Sequence, residues 1–261
     1  MEQIGIFPNL TKDDGKLTAA IIEQAKVYDM KCYVIDEIYD KIGIGIPLSK
    51  ERFYNKCEAI LILGGDGTLL RVSKEAAQYG VPILGINMGR LGFLTTVESS
   101  EIGMALKSLR ENTFCVEDRM MLRAQLIRDN KIYDEVIALN DIAITKGSYA
   151  RIIHLKAYIN DEFVNFYPAD GILISSPTGS TAYSLSAGGP IINPNMECLL
   201  LTPICPHVLN IRPIITNAND EIKILVDDDK KDIILTLDGQ EGIKLLKGDE
   251  IIVKKDRKCA K

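Results

Sequence analysis

The hydrophobic pattern of this chain changes character once, near Glu117, and that change limits the folds open to it. Before it, short apolar runs alternate with amphipathic stretches. Ile4 to Phe7 reads as a strand ending at Pro8-Asn9, and Leu17, Ile21 and Tyr28 recur at helical spacing within Gly15 to Met30. Cys32 to Ile35 and Ala59 to Leu63 read as strands, Leu69 to Tyr79 as a helix stopped by Gly80 and Pro82, Ile83 to Ile86 as a strand and Glu101 to Arg110 as a helix. Ser49 is the expected N-cap of a short helix through Lys56, and Gly43, Gly45 and Pro47 read as a flexible loop. Alternation at this spacing predicts an α/β domain built on a parallel, doubly wound, Rossmann-like sheet. After Glu117, short β-rich runs are separated by turn signals at Arg128-Asp129-Asn130, Lys146-Gly147, Asn160-Asp161, Asp227 to Lys231 and Asp238-Gly239. They predict an antiparallel all-β C-terminal domain, interrupted by one helix over Ser180 to Ala187. The expected domains are 1–117 and 118–261, with the C-terminal tail able to pack back on the first. The Asp227 to Lys231 charge run is expected at a solvated hairpin tip.

Composition narrows the function classes. The 261 residues are 46% hydrophobic and 26% charged, enough to bury a sizeable core. Apolar runs such as Ala59 to Leu63 are far shorter than the ~20 residues a membrane span needs, and Met1-Glu2 followed by Pro8 does not read as a secretory leader. A net charge of −5 argues against a nucleic-acid binder. Six cysteines without a CxxC, and two histidines, offer no structural zinc set and read as buried reduced thiols of a cytoplasmic protein.

Four motifs carry chemistry. Gly64-Gly65-Asp66-Gly67-Thr68 follows an apolar strand and opens a helix. Its glycines allow close backbone approach and positive φ, and the helix N-terminus offers N–H groups to an anion. It is neither GxxxxGK[ST] nor GxGxxG, and no lysine lies within it. Asp66 is either a helix N-cap or a group that takes a proton or holds a metal among phosphates. Asn87 to Phe93 leaves another strand end, where Phe93 either packs beneath the turn or covers a flat ligand such as adenine. Asn140-Asp141, inside the apolar run Val136 to Ile144, reads as a strand bulge or as a pair suited to ribose hydroxyls. Asp170 and the hydroxyl-dense run Ser175 to Ser186 would present side-chain oxygens and one aromatic, Tyr183, to a nucleoside. His154 and His207 read as packed or contact residues.

These motifs, in this order, resemble those of the bacterial NAD kinases, and the block from Asp170 to Pro190 is specific to that family. Pro206-His207 with Arg212-Pro213, and Asp238-Gly239-Gln240, extend the likeness over nearly the whole chain. The resemblance implies transfer of the γ-phosphoryl of ATP, or of polyphosphate, to the 2′-hydroxyl of the adenosine ribose of NAD. It implies Asp66 as proton acceptor and Gly64, Gly65, Gly67 and Thr68 as the phosphate-donor loop. Contacts with NAD are implied for Asp66, Gly67, Arg71, Phe93, Asn140, Asp141, Arg151, Asp170, Thr181, Ala182, Tyr183, Ser184, Leu185, Ser186 and Gln240. A divalent metal (Mg or Mn) is implied with ATP, no protein metal ligand is assigned, and a homodimer or homotetramer without nucleic-acid or membrane partners is expected. Two positions depart from the pattern: Asp141 stands where many relatives carry Glu, and Pro168 where some carry a basic residue. The competing readings are a lipid or sugar kinase and a non-catalytic NAD(H) sensor. Neither has its accompanying feature here, a membrane-facing patch or a basic helix-turn-helix.

Overall fold

A computed structural model describes residues 1–89, 92–147, 152–229 and 232–261. They form two compact units, Met1–Asp118 with Ala260–Lys261, and Arg119–Cys259.

The first unit alternates strands and helices. Its elements are β1 (Gln3–Pro8), α1 (Lys16–Lys26), β2 (Lys31–Ile35), α2 (Asp36–Ile42), β3 (Ile46–Leu48), α3 (Lys50–Lys56), β4 (Ala59–Gly64), α4 (Asp66–Tyr79), β5 (Ile83–Asn87), β6 (Val97–Glu98) and α5 (Ile102–Glu111). The strands make one parallel sheet in the order β3-β2-β1-β4-β5-β6. The order reverses direction between β1 and β4, whose register pairs Pro8 with Leu63. At such a switch point the loops leaving the two strands diverge and open a crevice at their carboxyl ends. β4 is buried along its whole length, as a central parallel strand covered on both faces must be. α4 buries Leu69, Leu70, Val72, Ala76 and Ala77 and ends at Gly80, whose φ of 69° is the left-handed cap that glycine adopts at little cost.

Two elements differ from the expectations. Asp36 to Ile42 is helical, favoured by Asp36 and Glu37 in its first turn and closed by Gly43 at φ 64°, and the stretch read as a flexible loop contains β3. α1 is capped by Asp13, which is 3% exposed: its carboxylate accepts the N–H groups of Gly15, Leu17 and Thr18 and the Thr18 hydroxyl.

The second unit is a sandwich of two six-stranded antiparallel sheets. Its elements are β7 (Arg119–Arg128), β8 (Lys131–Ala138), β9 (Asp141–Lys146), β10 (Ile153–Ile159), β11 (Glu162–Ala169), β12 (Gly171–Ser175), α6 (Tyr183–Ser186), β13 (Cys198–Ile204), β14 (Ile214–Asn217), β15 (Ile222–Val226), β16 (Ile233–Leu237), β17 (Glu241–Leu245) and β18 (Glu250–Ala260). The strand orders are β11-β10-β15-β18-β7-β8 and β14-β13-β12-β9-β16-β17. Alternate residues such as Leu122, Leu155, Ile224 and Ile251 from one sheet, and Ile144, Ile172, Leu201 and Leu235 from the other, share a single core. In the second sheet, β12 and β13 are buried on both faces. Their outer face is covered in part by the segment after β12, where Ala187 packs against Ala143, Leu173 and Ile204.

Of the Asp227 to Lys231 run, residues 230 and 231 lie outside the described residues, and Asp228 is not solvated. Asp228 is 6% exposed and binds His154 Nδ1 at 2.9 Å, with the imidazole stacked on Phe166. Cys115 and Cys205 are exposed, against the expectation of buried thiols, and no disulfide joins the six cysteines. Among the described residues no helix is long and apolar enough to cross a membrane.

Candidate functional site

The glycine loop lies at the switch point, between the end of β4 and the start of α4. Positive φ plays no part in it: Gly64, Gly65 and Gly67 are absent from the left-handed region, and Gly65 is extended at φ −117°. The glycines serve close approach instead. A Cβ on Gly64 would lie 2.6 Å from Thr68 Oγ1, which also accepts Asn9 Nδ2 at 3.0 Å, whereas one on Gly67 would meet nothing within 4 Å. Asn9 thereby ties the loop after β1 to the glycine loop.

Asp66 begins α4, but its side chain does not cap that helix. It reaches across to the turn before β6. Oδ2 accepts the Phe93 N–H at 3.0 Å; Oδ1 accepts the N–H groups of Leu94 and Thr95 at 3.3 and 3.2 Å and the Thr95 hydroxyl at 3.4 Å. Gly92 permits this, because its Cβ would fall 2.2 Å from Asp66 Oδ1. With Oδ1 facing three donors and Oδ2 one, the open acceptor position is on Oδ2. Phe93 itself is 69% exposed, so it is not core. Arg71 places its guanidinium over the Phe7 ring, 5.4 Å from the centroid.

In the second unit the Asn-Asp pair is not inside a strand. β8 ends at Ala138, Asn140 stands in the connection and Asp141 begins β9. Asp238, in the β16–β17 turn, clamps this connection by accepting the N–H groups of Leu139, Asn140 and Asp141 at 3.1, 2.7 and 3.2 Å. Gly179 presses against it from the other side: a Cβ there would lie 2.0 Å from the Asn140 carbonyl oxygen. Asn140 is 8% exposed, and its Oδ1 is buried without a hydrogen-bond partner, as are Ser175 Oγ and Thr178 Oγ1. Buried polar atoms are nearly always paired, so three idle ones around one connection mark it as a place for a polar ligand or water.

Burial, followed by the charge of Asp238, pushes the Asp141 carboxyl up to about 7. Between the unfolded value of 3.8 and about 7 the folded chain holds a proton that the unfolded chain has released. The contribution of this group is therefore full below pH 3.8 and is lost as pH rises through 7. Asp141→Asn is expected to gain stability over the parent progressively from pH 4 to pH 8, by about 4 kcal/mol at most at ~1.4 kcal/mol per pK unit. Thermal melts at pH 5 and pH 8 measure this; a difference between the two proteins that does not change with pH contradicts it.

The hydroxyl-dense segment divides by direction. Ser176 Oγ donates to Leu139 O at 2.5 Å, Ser180 Oγ donates to Pro177 O at 2.7 Å and accepts the Ile192 N–H, and Ser184 Oγ pairs with Thr202 Oγ1 at 3.0 Å. The Ser176 and Ser180 hydroxyls satisfy the backbone of a buried irregular segment, and the Ser184 hydroxyl is engaged with the Thr202 side chain. The predicted helix over Ser180 to Ala187 is a 3₁₀ turn over Thr178–Thr181 followed by α6, with Ala182 between them. Thr181 is half-buried and its hydroxyl reaches Thr178 O at 3.3 Å, while Tyr183, Leu185 and Ser186 are exposed. Burial raises the pKa of the Tyr183 hydroxyl, followed by the influence of Cys205, Asp141 and Asp170. Asp170 forms an ion pair with Lys146 at 2.6 Å. Gln240 lies in the same turn as Asp238 and is exposed. Arg151 falls outside the described residues.

Lys12, Lys146, Asp238 and the Asp66-clasping role of Gly92 were not singled out by sequence. Asp238-Gly239 reads as a turn and as part of the family likeness, without the role of Asp238 as a clamp, and lysines at 12 and 146 carry no local motif.

A glycine loop holding a fixed carboxylate at the switch point of a doubly wound sheet places the first unit among the nucleotide-binding α/β proteins. Comparison with known proteins narrows this class. Residues 23–114 match the ATP-NAD kinase N-terminal domain and residues 139–261 the ATP-NAD kinase C-terminal domain. An NAD kinase of Acetivibrio thermocellus is 44% identical over 260 residues, covering 98% of this chain and 90% of that relative. The crystal structure of yeast NADH kinase complexed with NADH superposes with a TM-score of 0.89 at 26% identity, covering 99% of this chain and 82% of that one. That of an NAD kinase from Archaeoglobus fulgidus in complex with ATP gives a TM-score of 0.76 at 27% identity, covering 99% and 92%. The chain belongs to the NAD kinase family.

Proposed function

We propose that this chain phosphorylates NAD, transferring the γ-phosphoryl of ATP to the 2′-hydroxyl of the adenosine ribose and releasing NADP and ADP. Beside family membership, the observation that carries the reading is the Asp66 carboxylate, set among phosphate-binding glycines and clasped by the amides of Phe93 to Thr95. Phosphoryl transfer asks for positioning and charge neutralisation more than covalent help. The 2′-oxygen attacks the γ-phosphorus, its proton passes to Asp66 Oδ2, and the bond to the β–γ bridging oxygen breaks with ADP as leaving group. Asn140 and Asp141 are proposed to hold ribose oxygens: Asn140 offers an unpaired acceptor, and Asp141 a carboxyl that carries a proton for part of the time near neutral pH. Phe93 in the first unit, and Thr181, Tyr183, Ser186 and Asp170 in the second, are each proposed to contact NAD. Among the described residues no three metal-ligating side chains cluster, so the divalent cation is proposed to arrive with ATP as part of the donor substrate, where it neutralises phosphate charge. Free cysteines support a cytoplasmic location.

The test is purified protein with NAD, ATP and magnesium, with NADP read through an NADP-specific dehydrogenase. Formation of NADP dependent on both substrates is the expected result; its absence overturns the reading.

A homodimer or homotetramer is proposed, in which the second unit of one subunit completes its neighbour's NAD site. Ile191, Met196, Leu209 and Ile215 of the second unit are more than half exposed, at 69%, 54%, 93% and 53%. Sedimentation at micromolar concentration is expected to show an oligomer, and a fully active monomer would end the idea.

A further inference from the structure

Lys12 sits on the loop that leaves β1, on the far side of the switch point from the glycine loop. Nothing in the sequence near it suggests a ligand, and no lysine lies inside the glycine motif itself. The fold nonetheless brings its ammonium over two glycine backbones at once. A Cβ built on Gly65 would lie 4.0 Å from Lys12 Nζ, and one on Gly89, in the loop after β5, would lie 3.9 Å from it. The ammonium therefore lies beside both glycines, at the carboxyl ends of β4 and β5.

The base of Lys12 is held firmly. The Asn9 N–H donates to Leu63 O at 2.7 Å, the N–H groups of Lys12 and Asp13 both donate to Asn9 O at 2.9 Å, and Asn9 Nδ2 donates to Thr68 Oγ1. The next residue, Asp13, is the buried cap of α1. The turn bearing Lys12 is therefore fastened both to β4 and to the glycine loop, while the ammonium at the end of this fixed stem makes no hydrogen bond or ion pair with a described residue. Surface lysines in this chain are commonly paired, as Lys16, Lys26, Lys50, Lys156 and Lys223 are. An unpaired ammonium aimed over a phosphate-type loop is a point charge waiting for an anion.

We propose that Lys12 binds the phosphates of the donor nucleotide. In the GxxxxGK[ST] loop a lysine within the motif reaches the β- and γ-phosphates; here the equivalent charge comes from the neighbouring strand across the switch point. The proposal rests on the kinase reading above, and it assigns Lys12 to the donor rather than to NAD because one of the two glycines beside its ammonium, Gly65, belongs to the phosphate-donor loop.

Lys12→Met and Lys12→Arg test it, with melting temperatures confirming that the folds are intact. Steady-state kinetics on Lys12→Met are expected to show KM for ATP raised by roughly tenfold to a hundredfold, the range of a lost charge-assisted contact, with KM for NAD within about twofold of the parent. Lys12→Arg is expected to recover most of the affinity for ATP. Inorganic tripolyphosphate, measured by calorimetry in the absence of NAD, is expected to bind Lys12→Met at least about tenfold more weakly than the parent. Unchanged KM for ATP together with unchanged tripolyphosphate affinity overturns the proposal, and so does a rise confined to KM for NAD. If the parent itself forms no NADP, the kinase reading fails, while the tripolyphosphate measurement still decides whether Lys12 binds phosphate.

Discussion

Asp66→Asn is expected to lose about 10²–10⁴ in kcat while KM for NAD and ATP stays within a few-fold of the parent. The asparagine keeps the size of the side chain and one acceptor oxygen, which can take the place of Oδ1 before the Leu94 and Thr95 amides. What goes is Oδ2, the oxygen with a single donor and room for a proton. In its place stands an NH₂ group, which cannot accept one and faces the Phe93 N–H. Loss of a proton acceptor used in the transition state lowers kcat, whereas loss of a ground-state contact would raise KM. Near-normal turnover in Asp66→Asn would leave the carboxylate as an anchor for the Phe93–Thr95 turn and no more.

Gly179→Ala is expected to have the second-largest effect, on stability and NAD affinity together. The new methyl would meet backbone atoms of Asn140: its carbonyl oxygen at 2.0 Å, carbon at 2.4 Å and Cα at 2.7 Å. A flexible side chain could swing away, but this backbone is pinned. Asp238 holds the Asn140 N–H, and the Asn140 carbonyl accepts the Ser176 N–H. Relief must therefore displace Asn140-Asp141 or the Thr178–Thr181 turn. Overpacking of this kind costs about 1–3 kcal/mol, and more where the neighbour is backbone, which corresponds to a fall of several degrees in Tm. KM for NAD is expected to rise by at least about tenfold as the ribose contacts move. Gly103→Ala is the control. Gly103 lies in α5, where a Cβ would meet only Gln24 Oε1 at 3.5 Å, so that change should be neutral or stabilising by up to about 1 kcal/mol. Equal behaviour of the two variants contradicts the packing argument.

The fold was legible wherever period and punctuation agreed. β4 reads as a buried strand because Ala59 to Leu63 is uninterrupted and apolar, and α4 because its apolar residues recur every three or four positions up to Gly80. α2 was missed because it is short and carries its apolar residues, Ile38, Tyr39 and Ile42, too sparsely to register over seven residues. The site was legible in part. Motifs marked Gly64 to Thr68, Asn140-Asp141 and Asp170, because their glycines and carboxylates are out of place in apolar runs. The direction of a side chain was not: Ser184 looked like one more offered hydroxyl, and only the packing of the segment over β12 and β13 turns it inward to Thr202. Long-range partners were equally hidden. Asp238 is separated by 98 positions from the Asn140 amide it accepts, and Lys12 lies over glycines contributed by two other strands. Sequence reports what a residue is, and the register of distant strands decides what it meets.

The central claim is that a phosphoryl group moves from ATP to one particular hydroxyl, the 2′-hydroxyl of the adenosine ribose. The most direct measurement incubates the protein with NAD and γ-³²P-labelled ATP, isolates the dinucleotide product and locates the label by enzymatic cleavage and radiochromatography, with ³¹P NMR of the product made from unlabelled ATP fixing the position of the ester. Label in a 2′-phosphomonoester on the adenosine ribose, formed by the parent and not by Asp66→Asn, is the predicted result. Label released as inorganic phosphate, or found at any other hydroxyl, would contradict it.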